Sequence, residues 1–308
     1  MRHISFIPRL ALLGLAAFGT IATLPAHGQT INFTSFAVYS PWNGASVDPT
    51  SGKFYRRNSY DATTSVFVYN NAADFVSNTV ATTLTLNTTL LNTYINANGG
   101  KIYGNSGINP QVSRWNGLTG ASEVAVTVSN MNSGGFNWGG NSFTNMLQDS
   151  TGMYVYGRDN TNNAWRIHKL DTNLSVVSTV GTSITGTQGY AFMVNGNLFS
   201  GNSYNSNIVS NKINFASGTV SPVNFTLNLP FGGGNYIDDF FYDPTTDNLY
   251  AHDQNAGRYY VTSNAAQQLG VSAVPSTPEP GAAALFASLG LGGGACLRLL
   301  RRRRSRKA

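Results

Sequence analysis

Asp243-Pro244-Thr245-Thr246-Asp247-Asn248-Leu249-Tyr250 is a turn followed by a short strand that ends in an aromatic residue. Proline presets φ at the second turn position, and an aspartate carboxylate before it accepts the turn's own backbone amides, which closes a hairpin. The same plan occurs four more times along the chain. It reads Asp48-Pro-Thr-Ser-Gly-Lys-Phe-Tyr55, Asn98-Gly-Gly-Lys-Ile-Tyr103, Asp149-Ser-Thr-Gly-Met-Tyr-Val-Tyr156 and Asn195-Gly-Asn-Leu-Phe199. From Tyr55 through Tyr103, Tyr156 and Phe199 to Tyr250 the intervals are 48, 53, 43 and 51 residues. Repeats of roughly 40 to 50 residues with several strands in each unit are the signature of a β-propeller.

Each unit supplies four strands. An inner strand precedes the turn, as at 190–194 or 236–242. An alternating strand follows the aromatic anchor, as at 207–215 or 65–69, and a fourth lies at 220–227 or 79–86. The expected fold is therefore all-β, a propeller of about five four-stranded blades with 31–39 as the first inner strand. Six or seven blades result if a divergent blade lies within 104–143. A two-sheet β-sandwich of the legume-lectin or jelly-roll type competes with it, but does not account for equally spaced turns.

Composition agrees with an all-β chain and excludes several functions. Of the 308 residues 12% are aromatic and only 10% charged, against a usual charged share of about 25%. Nine of the 19 basic residues sit at the extremes: Arg2, Arg9, Arg298, Arg301 to Arg304, Arg306 and Lys307. The middle is then slightly acidic despite a formal charge of +6, which removes the case for a nucleic-acid partner.

The ends read as targeting segments. Arg2, His3 and Arg9 precede an apolar run over 10–24, and Ala26-His27-Gly28 offers small residues to signal peptidase, so residues 1–28 form a signal peptide cleaved before Gln29. Residues 29–273 form the exported domain. Its core must hold it without disulfides, because the sole cysteine, Cys296, lies beyond it. Residues 274–308 begin Val274-Pro275-Ser276-Thr277-Pro278-Glu279-Pro280, continue as an apolar stretch over 282–300, and end in the cluster Arg301, Arg302, Arg303, Arg304. That order describes a stiff linker, one C-terminal transmembrane helix and a cytoplasmic basic stop, with the domain outside.

This tail resembles the PEP-CTERM sorting signal of Gram-negative, exopolysaccharide-producing bacteria, through its Pro-Glu-Pro motif, short apolar helix and arginine-rich end. The resemblance covers about the last 35 residues. It implies exosortase, a membrane-embedded cysteine transpeptidase, as a partner beside signal peptidase. It also implies a transient inner-membrane intermediate, a final place at the cell surface or outside the cell, and a link to exopolysaccharide.

Few residues in the exported part point to catalysis. It holds two histidines, His168 and His252, no cysteine, no G-x-S-x-G and one glutamate, Glu123. Zinc centres with several His or Cys ligands and Cys-His nucleophiles are thereby excluded. A glycosidase would have to pair aspartates, from Asp61, Asp159, Asp238, Asp239 and Asp253. Calcium has a candidate in Asp238, Asp239, Asp243, Asp247 and Asp253 with Asn248 and Asn255, although no calcium-loop spacing is met; no other cofactor is called for.

For glycan binding the candidates are Trp138, between Gly135-Phe136-Asn137 and Gly139-Gly140-Asn141, and Trp42 in Ser40-Pro41-Trp42-Asn43-Gly44. Trp115 and Trp165, in strand-like surroundings, are expected to pack between blades. Two functions stay open. One is a non-enzymatic surface or matrix module; the other is a secreted polysaccharide-active enzyme. Convergence of two of these aspartates, Asp61, Asp159, Asp238, Asp239 and Asp253, at one mouth of the domain would separate them.

Overall fold

The computed structural model describes residues 28–39, 44–58, 63–105, 111–132, 144–203, 205–230 and 236–272. They form a five-bladed propeller with two short helices. The chain enters through β1 (Thr30–Asn32) and β2 (Thr34–Val38). Blade 1 follows as β3 (Ala45–Val47), β4 (Phe54–Arg57), β5 (Thr63–Tyr69), helix α1 (Ala72–Val76) and the first part of β6 (Thr82–Asn98). The second part of β6 is the inner strand of blade 2, which continues as β7 (Lys101–Asn105), β8 (Gln111–Asn116) and β9 (Ser122–Thr127). After β10 (Met131–Asn132), blade 3 consists of β11 (Thr144–Asp149), β12 (Gly152–Asp159), β13 (Trp165–Leu170) and β14 (Val176–Gly181). Blade 4 is β15 (Tyr190–Val194), β16 (Asn197–Gly201), β17 (Ile208–Asn214) and β18 (Val220–Asn228). Blade 5 is β19 (Ile237–Asp243), β20 (Asn248–Asp253) and β21 (Arg258–Thr262), followed by helix α2 (Ala265–Gln268).

Residues 31–39 are not an inner strand. β2 pairs antiparallel with β21 and becomes the outer strand of blade 5, while β1 adds in parallel outside β18 of blade 4. The physical reason is closure: an N-terminal strand laid on the last blade ties the ends of the ring together by hydrogen bonds, with Ile31 and Phe33 buried beneath it. Nor does 104–143 hold a further blade, since its described part supplies the end of β7, then β8, β9 and β10. Radial four-stranded sheets also exclude the sandwich.

The five anchors, Tyr55, Tyr103, Tyr156, Phe199 and Tyr250, all lie on the second strand of their blades. Each packs in the apolar cluster between its own blade and the next. Tyr55 sits with Ile95 and Trp115, Tyr103 with Met146 and Val155, Tyr156 with Ala191 and Met193, Phe199 with Phe240, and Tyr250 with Phe54. The repeat thus marks the wedge that fills each gap between blades. Trp115 and Trp165 are fully buried in two of these clusters, as the sequence indicated, and their indole N–H groups donate to Thr88 Oγ1 and the Gly186 carbonyl, both at 2.8 Å. At the junction of blades 5 and 1, Phe75 of α1 plugs the gap, with ring centroids of Tyr39, Phe54, Tyr69 and Tyr259 within 5.0 to 5.3 Å.

Alternation of strand direction sorts the turns onto two ends of the ring. The first-to-second and third-to-fourth strand turns share one, called here the aspartate end; the remaining connections share the opposite end.

Candidate functional site

At the aspartate end the repeated carboxylates are structural. Asp48 accepts Thr50 N–H at 3.0 Å and Ser51 Oγ–H at 2.8 Å, Asp149 accepts Thr151 N–H at 2.7 Å, and Asp243 accepts Thr245 N–H at 2.9 Å and Thr246 Oγ1–H at 2.7 Å. This is the closure expected from sequence. The structure adds bonds between blades. Asp48 takes Gly99 N–H and Gly100 N–H of blade 2, and Asp149 takes Gly196 N–H of blade 4 at 2.5 Å. Both recipients are two-residue turns with φ > 0, at Gly99-Gly100 and Asn195-Gly196, a conformation that points successive N–H groups outward. Thr245 Oγ1 reaches Pro49 O at 3.1 Å and so joins blade 5 to blade 1.

The described acids considered for calcium are likewise engaged by backbone amides. Asp247 caps α2, accepting Ala266 N–H at 2.9 Å, and takes Tyr242 Oη–H at 2.9 Å. Burial, with that carboxylate beside it, pushes the Tyr242 phenol far up. Asp253 accepts Asn255 N–H at 3.0 Å and Ala256 N–H at 3.2 Å. Asp239, on the inner strand of blade 5, accepts Ala45 N–H at 2.8 Å from blade 1. Among the described residues no three His, Cys, Asp or Glu side chains gather as metal ligands.

Of the described glycosidase candidates, Asp159 stands apart from the other two. Asp159 caps the turn after β12 through Thr161 N–H at 2.6 Å and pairs with Arg166; that amide first, and the guanidinium after the opposing effect of desolvation, hold its carboxyl below the usual range. It belongs to blade 3, whereas Asp239 and Asp253 lie on the paired strands β19 and β20 of blade 5, where Asp239 stands opposite His252. Asp61 and the Asp238 side chain lie outside the described residues. Glu123 is held by Lys101 at 2.5 Å and Arg114 at 2.8 Å, and the Lys101 hydrogen bond leads in lowering its pKa.

The inner strands carry a polar group that the sequence reading missed. Asn96 Nδ2 donates to Met146 O at 2.6 Å. Gln148 Nε2 donates to Ala97 O at 2.9 Å and Val47 O at 3.2 Å, and Ser46 Oγ accepts Ala97 N–H at 3.1 Å. These bonds link blades 1, 2 and 3 along the axis, while blade 4 presents Tyr190 and Phe192 against Phe240. Asn145, fully buried on β11, has neither amide atom bonded, and Gln148 Oε1 is likewise without a partner. Buried amides left in that state cost about 1–3 kcal/mol each. Inner-strand side chains of this kind, neutral amides with one carboxylate, suit water, a hydroxylated ligand or a hard cation far better than a soft transition metal. Polar residues inside otherwise apolar inner strands are the signal in the sequence; the turn repeat does not mark them.

A family model for the olfactomedin-like domain matches residues 29–265. The chain belongs to the olfactomedin-like domain family. The match spans every blade and begins at the residue expected to follow the signal peptide. It corrects the family read from the tail. A Pro-Glu-Pro before an apolar run and arginines is a short pattern that any proline linker leading into an anchor can contain, whereas the olfactomedin-like match rests on the whole folded body; the chain is not identified as a PEP-CTERM protein. Val274, Pro275, Pro278, Glu279, Pro280 and Arg301 to Arg304 lie outside the described residues, as do Trp42 and Trp138. Among the described residues no helix is long and apolar enough to cross a membrane, and the expected span at 282–300 is not among them.

Among solved structures, the olfactomedin-like domain is similar to glutaminyl cyclase of Myxococcus xanthus, at 12% identity over 77% of this chain and 99% of that one, with a TM-score of 0.46. It is similar to the computationally designed Ika8 protein at 10% identity, over 69% and 55%, with a TM-score of 0.37. For Chaetomium thermophilum Raptor the values are 10%, 71% and 19%, with a TM-score of 0.40. No curated protein matches the chain. Olfactomedin-like domains are typically extracellular binding modules.

Proposed function

We propose that this chain is an exported binding module, tethered to a membrane by its C-terminal segment, whose propeller holds a neutral polyhydroxylated ligand such as a surface glycan without turning it over. The observation that carries the non-catalytic reading is the fate of the carboxylates. Asp48, Asp149, Asp159, Asp171, Asp243, Asp247 and Asp253 all accept backbone N–H groups of turns or of α2, and Glu123 is bound by two cations. A carboxylate committed to amide donors has its charge stabilised where it is and is poorly placed to exchange protons with a substrate. The tether is supported by the sequence: the apolar stretch 282–300 is long enough to enter a bilayer, and Arg301 to Arg304 resist translocation. The ligand class is supported by the low charge of the domain and by Trp42 and Trp138 among glycine and amide neighbours, a pairing suited to stacking on a sugar face.

The test is binding of the purified chain to a panel of bacterial polysaccharides, with product analysis alongside. Binding should be modest and nearly independent of salt, since no counterions are displaced. Trp138→Ala or Trp42→Ala should weaken it. Release of new reducing ends, abolished by Asp239→Asn or Asp253→Asn, would make the protein an enzyme and overturn the proposal.

A further inference from the structure

The last described segment leaves the ring at one end and is fastened there. After β21 the chain turns at the aspartate end; Asp247 accepts Ala265 N–H through its carbonyl at 3.0 Å and Ala266 N–H through its carboxylate at 2.9 Å. Lys212 Nζ donates to Gly270 O at 2.8 Å, and Asn195 Nδ2 to Ser272 O at 3.2 Å. Ala265, Ala266, Leu269 and Val271 are buried against blades 4 and 5. The chain that follows thus departs beside Asn195, at the aspartate end.

A second observation, independent of the first, concerns the exposed apolar side chains. Among the described residues six large ones are exposed: Leu118 (78%), Val177 (57%), Val38 (57%), Val76 (46%), Val176 (43%) and Val80 (37%). Single exposed apolar residues are ordinary when scattered. These are not scattered. Leu118 tips the β8–β9 turn, Val176 and Val177 begin β14, and Val76 and Val80 belong to the β5–β6 connection, all third-to-fourth strand connections at the aspartate end. Only Val38, on the far side of β2, lies at the opposite end. The exposed apolar tips stand on blades 1, 2 and 3, whereas the chain exit stands over blades 4 and 5, so together they surround the whole rim.

We infer that the aspartate end of the propeller rests on a lipid surface, with Leu118, Val176, Val177, Val76 and Val80 dipping into the headgroup layer and the opposite end presented outward. This rests on the tether proposed above. Nine residues, 273–281, separate the exit from the apolar stretch; fully extended they span at most about 30 Å. A blade strand of five to eight residues is roughly 17–27 Å long. To seat the opposite end on the bilayer, the linker would have to run back along a blade and use up most of its reach. Seating the aspartate end requires no such detour. Charge is mixed at this end: Lys53, Lys101, Lys169 and Lys212 stand among Asp48, Asp149, Asp171, Asp243, Asp247 and Glu123, with Lys101 paired to Glu123 and Lys212 bound to the Gly270 carbonyl. The contact is apolar and should survive high salt.

The experiment uses the full exported chain with Cys296→Ser, reconstituted in phosphatidylethanolamine–phosphatidylglycerol vesicles, with one environment-sensitive fluorophore carried by a Leu118→Cys or an Asn255→Cys variant. Both positions are exposed turn tips, and Ser51→Cys and Asn162→Cys repeat the comparison at two further exposed sites, one at each end. Quenching by brominated lipid should be several-fold stronger at Leu118 and Ser51 than at Asn255 and Asn162, at low and high salt alike. Equal or reversed quenching in a chain that floats with the vesicles leaves the tether standing and overturns the orientation. A chain that does not float overturns both. Disulfide-linked dimers through the Leu118→Cys variant, without quenching, would assign these tips to a second copy and likewise overturn the lipid reading.

Discussion

Asp48, just after the inner strand of blade 1, accepts the backbone N–H of Gly99 on one carboxylate oxygen and that of Gly100 on the other, both at 2.9 Å. One fully buried carboxylate therefore closes its own turn and fastens the next blade. Gly99 and Gly100 have φ of +58° and +74°, which side chains other than glycine rarely adopt, so the two halves of the latch are chemically matched: an anion at the end of one blade, and a left-handed turn with adjacent amides on its neighbour. Asp149 and Gly196 repeat the arrangement between blades 3 and 4.

Asp48→Ala should destabilise the domain by about 2–4 kcal/mol, because four donors lose a charged acceptor in a buried setting. Asp48→Asn, which keeps an oxygen but not the charge, should cost less. Urea unfolding monitored by tryptophan fluorescence checks both; equal stability of Asp48→Ala and the parent would show that the latch contributes nothing.

Ile31→Ala should cost about 2–5 kcal/mol, as expected for a fully buried side chain beneath β18 and α2. Removing residues 29–38 should do more than sum such losses, since it strips the outer strand from blade 5 and the added strand from blade 4 together. Hydrogen exchange should then show early opening of β18 and β21, with blades 2 and 3 protected for longer.

Gly201→Ala should be costly although the added group is a single methyl. Its Cβ would fall on the ring and hydroxyl of Tyr190, which is fully buried against Phe240 and has no room to move. Overpacking of this kind costs about 1–3 kcal/mol. Thermal unfolding of Gly201→Ala compared with Gly218→Ser, at the half-buried β17–β18 turn of the same blade where φ is +70°, separates packing from backbone effects.

Stability should fall on mild acidification. Burial first, and then the Arg166 charge, depress the His168 pKa below its usual value, with Nδ1 bonded to Thr179 Oγ1 at 2.7 Å. The unfolded chain therefore binds the proton more readily than the folded one, so stability drops as pH falls from about 6.5 towards the depressed value and levels off below it. Asp159, whose pKa is lowered chiefly by the Thr161 N–H, acts in the same direction at lower pH, its contribution lost as pH falls below about 4. Melting curves between pH 7.5 and 5 (a span set by the ordinary histidine pKa of about 6.5) should show the decline, and His168→Gln should flatten it.

The sequence by itself determined the blade plan. An Asp-Pro-Thr turn dictates its own hairpin because the cause is local, a fixed φ and a carboxylate within reach of its own amides, and an aromatic residue at each recurrence marks a wedge that must be filled. The inner strands at 190–194 and near 237–243, the alternating third strands and the burial of Trp115 and Trp165 were legible for the same reason: period and residue type act over a few neighbours. Only the tertiary structure decided where 31–39 goes, because pairing with β18 and β21 joins residues about 200 positions apart and strand character is alike for an inner and an outer strand. It alone showed that Asp48 and Asp149 hold the following blade, and that Asn145 and Gln148 are buried on the inner strand of blade 3. Those facts depend on which end of a strand each residue occupies and what the neighbouring blade sets against it, a relation between distant segments that no local pattern encodes.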